Sequence, residues 1–451
     1  MSAQADLEAR FGRAVDLLLG ELRQGEDLSL EFAGEDSRFL RFNEGKVRQT
    51  GSVEKATVDL TYYKNARTLH CSFSMSGDEA SDAERAAAAL GLARSEAALL
   101  PEDPFQTLPA GSGSSREAFT GKLPSDAHLA QELLGPSKAI SRAGAAYVGL
   151  HSQGSIARGA ANSKGARHWF STETFITDYS AFLPSGKALK SSYAGRDWNA
   201  DEYARRLGLE GKRLETLALP EKVLRPGEYR VWLAPDAFAE FMAFFSWRGL
   251  GERDIREGES AWIALKEGRQ SLSPRFRLCQ DFSLGVQQRF NERGEVAPDR
   301  LPLIEGGRLA NTLVSARSAL QYGVTSNAAP EQEYLRSPAV DPGDIDEDSA
   351  LAALGTGLYI SNLHYLNWSD IETARVTGMT RFACFWVDEG KIVAPIKDMR
   401  FDESLYQLFG HKLAGLSRQR SLIVSGESYF MRALDGALLP GALVDGFTFT
   451  L

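Results

Sequence analysis

A chain of 451 residues is long enough for two or three domains, each burying a core of its own. Its composition, 43% hydrophobic and 25% charged, is that of an ordinary globular protein, and a formal net charge of −9 without a basic stripe argues against nucleic acid as a partner. Three cysteines, Cys71, Cys279 and Cys384, are too few for a disulfide framework and fit a reducing compartment.

The opening Met1-Ser2-Ala3-Gln4-Ala5-Asp6 has no basic region followed by an apolar run, so no signal peptide is expected. The longest apolar stretches, such as Ala237 to Trp247, fall short of the roughly 20 residues that span a bilayer. A cytoplasmic protein without a membrane partner is the expectation. Asn367-Trp368-Ser369 matches a glycosylation sequon, which carries no weight without secretion.

From Ala3 to Arg23, Leu7, Phe11, Ala14, Val15, Leu18 and Leu22 recur at helical spacing with one buried face. The period then drops to two. Leu28, Leu30 and Phe32 alternate with polar residues, Phe39 to Phe42 leads into the turn Asn43-Glu44-Gly45-Lys46, and Val58, Leu60, Tyr62 and Leu69, Cys71, Phe73, Met75 alternate again. This predicts an antiparallel meander. Asp78 can cap an alanine-rich helix over 79–100 that Pro101 stops. Pro101 to Ser115, with its prolines, glycines and serines, reads as a linker, and Gly111-Ser112-Gly113 within it lacks the lysine-threonine ending of a phosphate loop. A short helix follows Ser125. A second β region runs from Ala145 to Leu183, with a strand ending near Ala157, the turn Asn162-Ser163-Lys164-Gly165 and a longer strand over 167–182. Asp201 to Leu217 is helical in pattern. Leu219-Pro220 and Arg225-Pro226-Gly227 mark a domain boundary. Beyond it a strand over 229–233 precedes a helix from Pro235 to Trp247, with proline at its first turn. The remainder reads as strand and loop, including 276–286, 357–362, 382–387 and 391–396, and ends in the β-rich Phe447-Thr448-Phe449-Thr450-Leu451.

A zinc peptidase needs histidines close together on one helix face and a carboxylate to handle the proton of a bound water. The six histidines are His70, His128, His151, His168, His364 and His411; none is followed by glutamate and no two stand three to five residues apart. His364 with Cys384 offers a weaker metal candidate without a visible third ligand. Cys384, in the apolar run Arg381 to Trp386, reads first as a small buried hydrophobe. No G-x-S-x-G elbow is present. The carboxylates of Asp341 to Asp348 lack the arrangement of a calcium loop and read as a solvated segment.

Four segments together resemble the TldD/PmbA family, once called modulators of DNA gyrase. They are Ser37 to Asn43 with Lys46-Val47-Arg48-Gln49; Ala161-Asn162-Ser163-Lys164-Gly165; Arg308 to Leu313 running on to Thr325-Ser326-Asn327; and Gly357-Leu358-Tyr359-Ile360 followed by Phe385 to Ile392. The resemblance extends over nearly the whole chain. It implies a two-lobed α+β protomer that dimerises, with an N-terminal α/β-meander lobe and a C-terminal, mostly antiparallel β lobe. The boundaries expected are 1–100 for the N-terminal domain, 101–220 for a linker and central β region, and 221–451 for the C-terminal domain. One branch of the family carries a zinc-binding H-E-x-x-x-H helix. The other lacks it and partners the first in a heterodimeric protease acting on unfolded or leader peptides. The matching stretch here is Phe241 to Leu250, which puts Ala243 and Arg248 at the histidine positions and Phe244 at the glutamate. The resemblance to the metal-free branch, PmbA/TldE, therefore implies a chain without a cofactor of its own, with zinc expected in a TldD-like partner and a peptide as substrate. Two alternatives stay open. One is a self-sufficient hydrolase, with His364, Asp370 and Cys384 as first suspects. The other is a homodimer that captures extended peptides by strand addition.

Overall fold

The computed structural model describes residues 3–111, 113–433 and 435–451. Met1 and Ser2 of the opening run, Ser112 of Gly111-Ser112-Gly113, and Leu434 lie outside the described residues. The chain is α+β and two-lobed, as expected, and each lobe is organised by one sheet.

The N-terminal lobe begins with α1 (Ala3–Gly20). A long meander follows: β1 (Asp27–Asn43), β2 (Lys46–Lys64) and β3 (Arg67–Ser74). Leu28, Leu30 and Phe32 of β1, with Val58 and Leu60 of β2, pack against Leu7, Phe11, Val15 and Leu18 of α1. Helix α2 (Glu79–Ala97) closes the same core with Ala86, Leu90 and Ala93, and Asp78 caps it by accepting from the Ser81 N–H at 2.9 Å.

The segment read as a linker ends in a strand. β4 (Gly113–Phe119) pairs in parallel with β6, reached after α3 (Asp126–Leu134), α4 (Lys138–Arg142) and β5 (Ala146–Asn162); β6 spans Ala166–Phe182. Serine and glycine hid that strand, since they carry little β propensity and the pairing is long-range. β7 (Ala188–Gly195) pairs with the other half of β6. The seven strands form one sheet, six in the order β3-β2-β1-β5-β6-β4 and β7 off that path on β6, so strands from 1–100 and from 101–220 share it. β5 runs to Asn162, beyond Ala157. At Gly154 (φ 142) the β1 and β5 backbones come so close that a Cβ would collide with the Asp36 carbonyl. Helix α5 (Ala200–Leu217) then leads to the second lobe.

That lobe holds thirteen strands. They are β8 (Gly227–Leu233), β9 (Leu278–Asp281), β10 (Arg300–Glu305), β11 (Arg308–Leu309), β12 (Pro338–Val340), β13 (Gly357–Ile360), β14 (Asn362–Asp370), β15 (Arg375–Arg381), β16 (Phe385–Asp388), β17 (Lys391–Pro395), β18 (Arg400–Ser404), β19 (Leu413–Val424) and β20 (Gly436–Phe449). Pairing is antiparallel except β8 with β13 and β12 with β20. Helix α6 (Pro235–Met242) packs on β20, in a core where Phe238, Phe241, Phe245, Trp262, Phe276 and Phe409 meet. The two lobes also share a core. Tyr147, Tyr179, Tyr203 and Leu214 of the first pack with Trp232, Tyr359, Phe385 and Leu443 of the second. Among the described residues, no helix is long and apolar enough to cross a membrane.

Candidate functional site

Helix α6 is shorter than its apolar run predicts. It ends at Met242 and continues as a single 3-10 turn over Ala243–Phe245. Tertiary packing overrides the helical period here. The Phe245 ring stacks on Trp262 with centroids 4.4 Å apart, and the Trp262 indole N–H donates to the Phe244 carbonyl at 3.0 Å. The chain then reverses at Arg248, which adopts φ 50, and at Gly249, where a Cβ would collide with the Phe245 carbonyl.

This geometry fixes the three positions matched to the zinc helix. Ala243 is exposed and offers only a methyl group. Phe244 is buried, its ring edge-on to Trp368 at 4.7 Å. Arg248 forms an ion pair with Glu259. A methyl, a benzyl and a guanidinium supply no lone pair to a metal and no group that cycles a proton near neutral pH. These residues do not fit zinc.

His364, Asp370 and Cys384 are not brought together. Cys384 is 1% exposed, with its thiol directed to the Arg381 carbonyl at 3.3 Å and the Asn362 carbonyl at 3.8 Å; burial pushes its pKa up, away from the thiolate a metal requires. His364, half-buried on β14, lies against the Tyr365 ring at 3.9 Å. Asp370, at the exposed end of that strand, accepts from Thr373 Oγ1 at 2.6 Å and from the Glu372 N–H at 3.1 Å, and these bonds hold its pKa down. It borders a cavity of about 1030 Å3 with Glu372, Arg375, Tyr406 and His411. Among the described residues, no three of His, Cys, Asp and Glu are grouped to hold a metal ion.

The charged groups that sequence reading missed lie between the lobes. The core-facing residues of β1 alternate with Glu31, Ala33 and Glu35, which look the other way. On that face Glu31 stands opposite Asp59 of β2, and Ala33 opposite Arg158 of β5. The loop between β19 and β20 reaches across from the second lobe. Its Arg432 N–H donates to Glu35 Oε2 at 2.9 Å, its guanidinium donates to the Thr174 and Gly154 carbonyls at 2.7 Å each, and Lys55 Nζ donates to the Phe430 carbonyl. Beneath this loop is a cavity of about 690 Å3. Burial, together with the charges of Glu292 and Asp59, pushes the Glu31 carboxyl up to about 8, and Arg158 offsets only part of this.

Residues 226–451 match the family model for the PmbA/TldA metallopeptidase C-terminal domain. The chain belongs to the PmbA/TldD family. Solved structures agree over both lobes. A protein described as a modulator of a DNA gyrase from Thermotoga maritima is 14% identical with a TM-score of 0.74, covering 98% of this chain and 100% of that one. TldE from Thermococcus kodakarensis is 12% identical with a TM-score of 0.75, again covering 98% and 100%. A protein described as a modulator of DNA gyrase from Bacteroides thetaiotaomicron is 14% identical with a TM-score of 0.71, covering 98% of each chain. At these identities the likeness establishes the fold alone. No curated protein matches the chain. Within the PmbA/TldD fold, the face carrying Glu31, Asp59 and Arg158 lies on the N-terminal lobe, outside the segment matched to the C-terminal domain model.

Proposed function

We propose that this chain is the non-catalytic subunit of a TldD/TldE-type heterodimeric metallopeptidase that degrades or processes unfolded or leader peptides. The zinc is carried by a TldD-like partner, and the complex is cytoplasmic. The observation that carries this reading is the state of the Ala243–Arg248 turn. A family whose name is tied to metallopeptidase chemistry here presents an exposed methyl, a buried phenyl ring and an ion-paired guanidinium. A hydrolytic zinc centre needs imidazole or carboxylate ligands and a proton-handling acid. With the fold kept and those groups missing, a supporting role beside a zinc-bearing chain accounts for both facts.

The test is co-expression with a TldD-like chain bearing the H-E-x-x-x-H helix. The expected result is a stable complex, with zinc bound stoichiometrically to the partner and peptidase activity that needs both chains. Chelator-sensitive cleavage of a test peptide by this chain alone, or partner activity indifferent to its presence, would overturn the reading.

A further inference from the structure

Strand β4 ends the sheet of the first lobe. It pairs with β6 on one side and, among the described residues, with no strand on the other. Its side chains alternate between two faces. Glu117 and Phe119 turn toward the second lobe, where Glu117 pairs with Arg289 at 3.5 Å and the Phe119 ring lies against Gly285. Ser114 and Arg116 turn toward α1, and Arg116 Nε donates to Glu8 Oε1 at 2.9 Å.

Between α1 and this edge is a groove of about 290 Å3. Phe11 and Val15 of α1 and Trp169 of β6, all buried, give it an apolar floor. Gly12 lines it too, and a Cβ added there would have nothing within 4 Å. A glycine inside a helix weakens it. At Gly12 no crowding demands one, so the residue keeps space open. Trp169 is a second, independent sign. It is 4% exposed, with its ring centroid 6.3 Å from that of Phe11 and 5.5 Å from that of Phe32. Its indole N–H is buried and has no acceptor among the described residues. A buried indole N–H normally finds a partner, and here open volume lies against the same ring.

The charges of the lining narrow the choice of ligand. Arg116 is held by Glu8, and Arg167 donates to Asp16 Oδ1 at 2.7 Å. His168 bonds to the Ser115 hydroxyl and to the Gly294 carbonyl. Each charged group is already matched, so the groove offers an ionic ligand no counter-charge. What it offers is an aromatic floor, which favours a further ring.

We propose that this groove holds a neutral aromatic side chain, phenylalanine or tyrosine, of an extended peptide whose backbone lies along the open edge of β4. The ring sits against Trp169 in the space that Gly12 leaves. A strand added at that edge sets alternate side chains on the α1 face, and Ser114 is small enough for a ring to pass over it. The proposal rests on the peptide-handling reading above and deepens it, by naming a side chain the peptide carries and a place for it on the first lobe.

The experiment is isothermal titration calorimetry on the full chain, without a partner. The probes are N-acetylated, C-amidated pentapeptides, serine-alanine-X-alanine-serine, with X phenylalanine, tyrosine or leucine. N-acetyl-phenylalanine amide supplies the ring without the strand. The phenylalanine and tyrosine peptides should bind about fivefold tighter than the leucine peptide. They should also bind severalfold tighter than the lone amide, and added salt should change little because the rim charges are paired. Gly12→Leu, which fills the groove, should remove the preference for a ring. It should melt at or above the parent temperature, since leucine is the better helix former, and this separates a lost site from a lost fold. Ser114→Trp, at an exposed position, should block the groove from the β4 side. Equal affinity for the phenylalanine and leucine peptides, a ring preference that survives both substitutions, or no binding of any peptide would overturn the proposal. A lone amide that binds as tightly as the pentapeptide would mean the groove takes a free aromatic molecule, and would overturn the peptide assignment. Binding that weakens steeply with salt would mean the arginines take an anion, and would overturn it equally. Complex formation with a TldD-like chain in the same preparation would show that the subunit reading stands even then.

Discussion

The main-chain N–H of Arg432 donates to Glu35 Oε2 at 2.9 Å, joining residues 397 positions apart and tying the β19–β20 loop of the second lobe to β1 of the first. The Arg432 guanidinium extends the tie to the Thr174 and Gly154 carbonyls, and the residue is 4% exposed. Arg432→Met keeps much of the stem and removes the donors, leaving two carbonyls short of a partner. The expected cost is about 2 kcal/mol. It should be read as a lower melting temperature, with faster amide exchange in 152–156 and 172–176. Unchanged exchange in those segments would show that the loop does not hold the lobes together.

Glu26 is the matching anchor inside the first lobe. Burial alone would raise its pKa, but hydrogen bonds from Arg94, the Arg23 N–H and the Tyr62 hydroxyl bring it down to about 2. A depressed carboxylate contributes stability that is fully present above its ordinary value of 4.5 and is lost as pH falls toward 2. Glu26→Gln should therefore lower stability at neutral pH and flatten the acid limb of the stability curve by about one proton between those values. Melting temperature measured against pH checks both parts. Parallel acid limbs for variant and parent would assign the acid loss to other groups.

Glu31 has the opposite sign. Its folded carboxyl titrates near 8, against an ordinary value of 4.5. Between these values the native chain holds a proton that the unfolded chain has released, so stability falls as pH rises through the window. The groups facing it are Asp59 on β2, Arg158 on β5 and Glu292 from the second lobe, and burial raises Asp59 and Glu292 as well. Glu31→Gln should leave stability at pH 4 nearly unchanged and raise it progressively toward pH 8, by a few kcal/mol at most. Thermal melts across this range decide it, and a variant no more stable than the parent at pH 8 would place the carboxyl in a less hostile setting.

What the sequence revealed, and what it hid, follows from the range of the forces involved. Helix α1 and the β1–β3 meander were legible because Leu7, Phe11 and Val15, then Leu28, Leu30 and Phe32, carry their own period into one core. The Asp78 cap was legible because capping is local. Helix α6 was read five residues too long because its end is set by Trp262, which is remote in sequence and takes the Phe244 carbonyl. β4 was hidden because its pairing partner, β6, lies far along the chain. The same alternation that placed Phe32 in the core marked Glu31 only as outward-facing, and no local pattern could say that the charge of Glu292, remote in sequence, bears on it. The four family segments carried the family assignment, while the degenerate zinc helix could be placed only through the resemblance.

That helix allows a last, sharper expectation. If its lost groups had merely been exchanged on an intact scaffold, restoring them would restore a zinc site. The structure argues otherwise, position by position. Ala243 is exposed, so Ala243→His should change stability by no more than about 0.5 kcal/mol. Arg248→His gives up the partly exposed pair with Glu259, a loss of about 1 kcal/mol or less. Phe244 is different. It is 2% exposed, packed between Trp247 and Trp368, and Phe244→Glu would put a carboxylate there with no cation to meet it. The expected cost is about 3–5 kcal/mol, from the lost ring and the unpaired buried charge together. The triple substitution should accordingly melt well below the parent and bind zinc weakly or not at all. Thermal unfolding and metal analysis of the purified triple variant test this directly. A folded, stoichiometrically zinc-loaded variant would show that the turn is free to rebuild as a metal helix, and that the packing of Phe244 against the tryptophans does not exclude a metal there.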